Sequence, residues 1–244
     1  MRALTTTSIW VYLSANPLLW LTATLVAYAL AERLARRWRR HPLANPVAMA
    51  TAFLAVLLVA TDTPYETFFD GAQFVHFLLG PATVALAVPL YRNLARIKAR
   101  LLPMGAALLC GSVAAILSAV ATAALVGAPH DILVSLAPKS VTTPIAMSLA
   151  EGLGGVPTLT AVLVIVTGIF GAMVLTPLMR LQRVSDPAAV GFAAGLAAHG
   201  IGAARAFQID ATAGAFAGIG LGLNGAMTAV LLPVVLPGVL AWVR

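Results

Sequence analysis

Between Leu101 and Ala128 the chain reads "LLPMGAALLCGSVAAILSAVATAALVGA", and from Ala211 to Val243 "ATAGAFAGIGLGLNGAMTAVLLPVVLPGVLAWV"; neither stretch holds a charged side chain. About 20 consecutive apolar residues cross the hydrocarbon core of a bilayer. In that medium every backbone N–H and C=O must find a partner within the protein, which leaves helices and closed barrels. Barrel strands alternate polar and apolar residues and lack such uninterrupted runs. The sequence therefore predicts an all-α, polytopic integral membrane protein. Composition agrees: 61% of the 244 residues are hydrophobic and 9% charged, where a soluble domain carries about 25% charged residues.

The formal charge of +7 gathers in two short loops, "ERLARRWRR" (Glu32–Arg40) and "RNLARIKAR" (Arg92–Arg100). Short basic loops at span ends mark the cytoplasmic side. They lack the aromatic interleaving and motifs of a nucleic-acid surface, so no nucleic-acid partner is expected; the surroundings are membrane lipid. The single cysteine, Cys110, excludes an intrachain disulfide. Arg2 is the only basic residue before the first apolar run and no small-residue cleavage site follows, so no cleavable signal is expected.

The charge rule sets the path. The run Leu13–Leu30 ends in the first arginine cluster, which puts the N-terminus outside the inner membrane of the cell. Asn45–Thr61 returns outward to the acidic connection Asp62–Asp70, Gly71–Tyr91 crosses inward, and Leu101–Ala128 crosses outward. If Asp131–Gly152 also crossed, the span Val156–Met179 would leave Arg180 and Arg183 outside; a re-entrant path keeps both inside, and the charge rule favours it. Ala188–Leu223, rich in Gly and Ala, reads either as two spans or as a second re-entrant hairpin, and Ala211–Val243 as too long for one straight helix. The expectation is one transmembrane domain over residues 1–244. It has about seven or eight helices, with broken or re-entrant pieces meeting near the membrane midplane.

Three stretches carry the polar chemistry. In "SLAPKSVTTPIAMSLAEG" (Ser135–Gly152) a lysine stands between two prolines beside four hydroxyls. Proline suits the first turn of a helix. A half-helix starting at Pro138 would leave the N–H groups of Lys139, Ser140 and Val141 free, and such donors attract an anion. Lys139 adds a charge, and Ser140, Thr142 and Thr143 add hydroxyl donors. Pro144 cannot donate to the Ser140 carbonyl, which is released. The alternative is a snorkelling Lys139, with the threonines bonding back to their own helix. A second stretch, Leu78–Tyr91, sets Pro81, Thr83 and Pro89 in a similar pattern, whose plain alternative is a proline kink. Transporters place substrate where two such broken helices meet.

The third stretch, "AHGIGAARA" (Ala198–Ala206), sets His199 and Arg205 in apolar, glycine-rich surroundings. Ionisable residues within spans usually face a cavity. His199 can exchange a proton and Arg205 can hold a carboxylate; the alternative pairs Arg205 with Asp210 at a helix end. His76 reads as a core histidine, and Glu151 as a rim residue or a partner for Lys139. No phosphate-binding loop, zinc-protease motif or nucleophile elbow is present. Adjacent Lys139 and Ser140 diverge by about 100° on a helix and cannot form a hydrolytic pair. No enzymatic activity, cofactor or metal is expected.

The stretches "LLGPATVALAVPLYR", "APKSVTTPIAMSLAEGLGGVPTLTA" and "AHGIGAARAF…LGLNGAMTAVLLP" resemble the LrgB/CidB family, over roughly Pro17 to Pro233. The C-terminal half of the plant plastidial glycolate/glycerate transporter is similar to that family. The resemblance implies movement of a small carboxylate such as glycolate, glycerate or pyruvate, and brings Asn224 of the third stretch among the candidate substrate-binding residues. It also implies a small LrgA/CidA-type membrane partner, and a homodimer is compatible with it. Bacterial members carry an older name, antiholin-like regulators of murein hydrolase, which implies instead a lysis-regulating interaction protein. A lysine at a paired-proline helix start serves a carboxylate carrier and has no use in a hole-forming regulator. Ala203 stands where the resemblance leads one to expect threonine, and Gln208 where it often has an acid.

Overall fold

The computed structural model describes residues 16–41, 44–78, 81, 84–85 and 87–242; the described secondary structure is helix and turn. The chain forms two compact units, Met1–Ala85 and Leu86–Arg244.

The first unit holds α1 (Pro17–Arg37), α2 (Pro46–Ala60) and α3 (Tyr65–Phe77). Asn16 and Asn45 start α1 and α2: each side-chain oxygen accepts a first-turn N–H, and a proline follows where its missing N–H costs nothing. α1 meets α2 through Ala27, Ala31, Ala50 and Leu54, small enough to let the helices approach closely. Fully buried Trp20 sets its edge on Phe68, ring centres 5.9 Å apart. Pro81 is helical and exposed, and Thr83 lies outside the described residues.

The second unit holds α4 (Ala87–Arg92), α5 (Leu94–Lys98), α6 (Leu101–Leu125), α7 (His130–Leu136), α8 (Thr143–Gly152), α9 (Pro157–Leu181), α10 (Pro187–Ile209) and α11 (Ala211–Trp242). Pro89 falls in the first turn of α4. α6 and α11 run parallel: Met104 and Leu108 share one cluster with Phe216 and Ile219. Further along, Ile116 and Val120 share another with Leu232 and Leu236. α11 is one continuous helix of 32 residues with Pro233 and Pro237 inside it, and that second cluster holds its proline-containing end. The buried leucines hold it against α6.

Two segments double back on themselves. Val156 N–H donates to Ser135 Oγ at 2.7 Å, and Thr160 Oγ1 donates to the Ser135 carbonyl at 3.1 Å. α8 rises about 15 Å over its ten residues. Had it continued onward from α7, Val156 would lie far beyond Ser135. The chain therefore enters through α7, turns at residues 137–142 and returns through α8.

α10 does the same. Ala198 (φ −129°, ψ 20°) and His199 (φ 41°, ψ −134°) leave helical geometry. A Cβ on Gly191 would run into the Ala213 carbonyl, and one on Gly195 into the Ala217 carbonyl, so the first arm of α10 lies alongside and parallel to the start of α11. In a straight helix Gly191 would stand about 27 Å from Ile209. The four residues from Ile209 to Ala213 bridge at most about 14 Å. Only a reversal at Ala198–His199 reconciles the two. Val190 and Ala194 of the outgoing arm accordingly pack with Ala203 and Ala206 of the returning one.

Among the described residues five helices are long and apolar enough to cross a membrane: α1, α6, α9, α10 and α11. α10 qualifies by length and composition, but its reversal halves its reach.

Candidate functional site

The tips of the two doubled segments meet beside the middle of α9. Val141, from the first tip, clusters with Ala146 and Val164. From the second, buried His199 places Nε2 2.9 Å from the Val164 carbonyl. A Cβ on Gly168 would come within 2.6 Å of the His199 ring, and one on Gly171 within 2.6 Å of the Ala198 methyl. The two glycines thus give the second tip its seat. Positive φ at a residue with a side chain costs about 1–3 kcal/mol, and it persists where the surroundings over-determine it.

The first tip departs from the sequence reading. Lys139 N–H donates to the Leu136 carbonyl at 3.1 Å, and Val141 N–H to the Pro138 carbonyl at 3.2 Å. Pro138 therefore ends one helix and opens a turn with Lys139 and Ser140 at its corner; it does not start a half-helix. The helix begins at Thr143, and Pro144 takes the first-turn place expected of Pro138. Of the three N–H groups expected to be free, that of Ser140 alone is without a partner among the described residues. Those of Thr142, Thr143 and Ile145 also lack one, and Thr142 caps the helix without a side-chain bond. These donors face the end of a ten-residue helix whose dipole favours negative charge.

Lys139 is half-buried, and its ammonium has no hydrogen-bond or ion-pair partner among the described residues. Glu151 is exposed, and no bond joins the two. Pro138 and Ser140 are buried; Thr142 and Thr143 are half-buried. The first tip thus combines a cation, hydroxyls and bare N–H groups, which suits a small anion.

Arg205 lies on the returning arm of α10, its guanidinium 3.3 Å from both Gln208 Oε1 and Thr176 Oγ1. Asp210 caps α11, its Oδ1 accepting from Thr212 N at 2.7 Å and Ala213 N at 3.1 Å. Among the described residues no group of three His, Cys, Asp or Glu side chains is placed to hold a metal ion.

Asn224, fully buried on α11, joins the two tips. Its Nδ2 donates to the Ser140 carbonyl at 3.3 Å and to the Leu196 carbonyl at 2.9 Å. Each break released one of these acceptors: Pro144 has no N–H for Ser140, and the reversal at Ala198–His199 takes Gly200 N–H away from Leu196. Its Oδ1 accepts from Ser112 Oγ at 2.7 Å and Thr228 Oγ1 at 3.3 Å. Two donors and two acceptor positions exhaust an amide. Asn224 belongs to the third stretch of sequence candidates; Thr228 lies in the same stretch without being a candidate, and Ser112 and Val164 lie outside all three. The available signal was a set of polar side chains inside charge-free runs, with Asn224 and Thr228 one helical turn apart.

The sequence model of the LrgB-like family matches residues 24–237. The holin-like protein CidB of Staphylococcus aureus (strain N315) is 31% identical over 219 residues, which cover 90% of this chain and 95% of the relative. The holin-like protein CidB of Staphylococcus epidermidis is 30% identical over 87% of this chain and 93% of its own length. The uncharacterized protein YxaC of Bacillus subtilis (strain 168) is 33% identical over 87% of this chain and 92% of its own. No solved structure matches. With its apolar helices and a family match running nearly from end to end, this multi-pass membrane protein belongs to the LrgB-like family.

Proposed function

We propose that the chain is a secondary carrier or facilitator of small monocarboxylates or 2-hydroxycarboxylates of the glycolate, glycerate and pyruvate kind. One observation carries the reading: the unpartnered Lys139 ammonium at the first tip, beside the bare N–H groups of Thr143 and Ile145. A half-buried ammonium without a counter-charge is only partly solvated, and a ligand carboxylate supplies the missing charge. Ser140, Thr142 and Thr143 add hydroxyls to the same site; His199 and Arg205 of the second segment belong to the proposal as further substrate-binding candidates, although their bonds in the structure run to Val164, Thr176 and Gln208. A small LrgA/CidA-type partner and a homodimer belong to the same proposal.

The topology proposed with it has six crossings and two re-entrant hairpins in the inner membrane, N-terminus outside. Its support is the Arg100–Asp186 ion pair at 2.5 Å, which puts the start of α6 and the start of α10 at one end of the bundle. From Arg100 to Asp186 the chain must then cross an even number of times. α6 and α9 are two crossings, so the α7–α8 segment returns to the side it came from, and Arg180 and Arg183 fall on the cytoplasmic side. The tips then lie near the midplane. With Cys110 replaced by alanine, single cysteines at Asp131 and Glu151 are expected to react with an impermeant reagent from the same side, and one at Arg183 from the other. Opposite-side labelling of 131 and 151 removes the hairpin.

The names of the relatives favour a second reading, a holin-like or antiholin-like regulator of murein hydrolase and lysis, and they back it more directly than they back transport. Purified protein in liposomes separates the two. Saturable uptake of labelled glycolate, glycerate or pyruvate, with an unrelated dye retained, supports the carrier. Size-graded leakage of unrelated dyes without saturable uptake supports the holin-like reading and sinks the carrier.

A further inference from the structure

The two carbonyls released by the helix breaks are both held by one side chain, Asn224. We propose that Asn224 is the positioning residue of Lys139: by holding the Ser140 carbonyl it fixes the turn from which the lysine side chain leaves, and through the same amide it ties that turn to the second hairpin. The inference rests on the carboxylate reading for its consequence in transport.

The peptide joining Ser140 to Val141 is planar, so its C=O and N–H point to opposite sides. The C=O is held by Asn224 and the N–H by the Pro138 carbonyl, which blocks rotation of that peptide in both senses. Lys139 occupies the corner of this turn, one residue before the held peptide, so the backbone from which its side chain leaves cannot shift without straining one of the two bonds. The amide itself is aimed: Ser112 Oγ and Thr228 Oγ1 both donate to its Oδ1, from α6 and from the next turn of α11. Asn224 has no exposed surface, so water does not substitute for any of these bonds. A displacement of the second tip that shifts the Leu196 carbonyl must therefore be felt at Lys139.

The competing account is that Asn224 fills two orphan carbonyls and stabilises the bundle without steering Lys139. A substitution series distinguishes them. In a Cys110→Ala background, Lys139→Cys reports the accessibility of position 139 to a maleimide, with no substrate needed; Ser148→Cys, exposed on α8, is the control. Asn224→Ala is expected to change the labelling rate at 139 several-fold and leave that at 148 unchanged. Ser112→Ala, which removes only a hydroxyl that aims the amide, is expected to shift it in the same direction by less, and it serves should Asn224→Ala not fold. In uptake, Asn224→Ala is expected to raise the half-saturation concentration about tenfold, the equivalent of one hydrogen bond, and to add nothing in a Lys139→Ala background. An unchanged rate at 139, or an equal change at 148, overturns the positioning role. So does an undiminished effect of Asn224→Ala when Lys139 is absent. Altered labelling at 139 in a parent protein that takes up no carboxylate overturns the carrier reading instead, and leaves the hold of Asn224 on Lys139 standing.

Discussion

Lys139→Ala protein, reconstituted in liposomes, is expected to take up carboxylate with a half-saturation concentration ten- to a hundred-fold above the parent's, or not at all, while still folding and reaching the membrane. The magnitude follows from losing a charge-assisted hydrogen bond, about 1.5–3 kcal/mol. Folding is spared because the ammonium bonds to nothing in the protein among the described residues. Lys139→Arg rescues poorly: a planar fork does not replace a compact ammonium at the corner of a tight turn. Thr142→Val and Thr143→Val, which nearly preserve shape, lose less. Lys98→Ala, exposed on α5, leaves uptake near the parent's. Full uptake by Lys139→Ala with none by Arg205→Ala would move the site to the returning arm of α10.

Gly195→Leu is expected to abolish the folded protein. The space a side chain needs there holds the backbone carbonyl of Ala217, which cannot rotate aside as a flexible side chain would. Overpacking a well-filled core costs about 1–3 kcal/mol, and here the displaced atoms belong to α11, so the cost spreads along both helices. Gly222→Ala meets nothing within 4 Å. It should hold or slightly raise the melting temperature, since alanine is favoured over glycine in a helix by roughly 1 kcal/mol. Thermal melting of the detergent-purified proteins, read by size-exclusion recovery, checks both. A Gly195→Leu protein as stable as the parent contradicts the parallel packing of the α10 outgoing arm on α11, and with it the second reversal.

Much of the helical frame is legible locally. Charge-free runs announce α6, α9 and α11, and Asn16-Pro17 and Asn45-Pro46 announce the starts of α1 and α2. The disturbance around "APKSVTTP" is legible too, because proline's missing N–H acts on the carbonyl four residues back whatever surrounds it. Which proline opens the helix is not. Pro138 and Pro144 both suit a first turn, and the choice depends on the Ser140 carbonyl finding Asn224, 84 residues further on.

The sequence by itself determined that this chain is a bundle of membrane-length helices, where the basic loops lie, and that a lysine stands among hydroxyls between two prolines. Those properties depend on residues within a few positions of one another. Only the tertiary structure decided that α10 reverses. No proline marks Ala198–His199, and the backbone there is bent because His199 lodges against Val164 and Gly168. Only the tertiary structure paired Arg100 with Asp186 and gathered Ser140, Leu196, Ser112 and Thr228 around Asn224. A backbone carbonyl released inside an apolar bundle must be satisfied by something. What satisfies it is whichever donor the packing of distant helices delivers, and no local pattern encodes that.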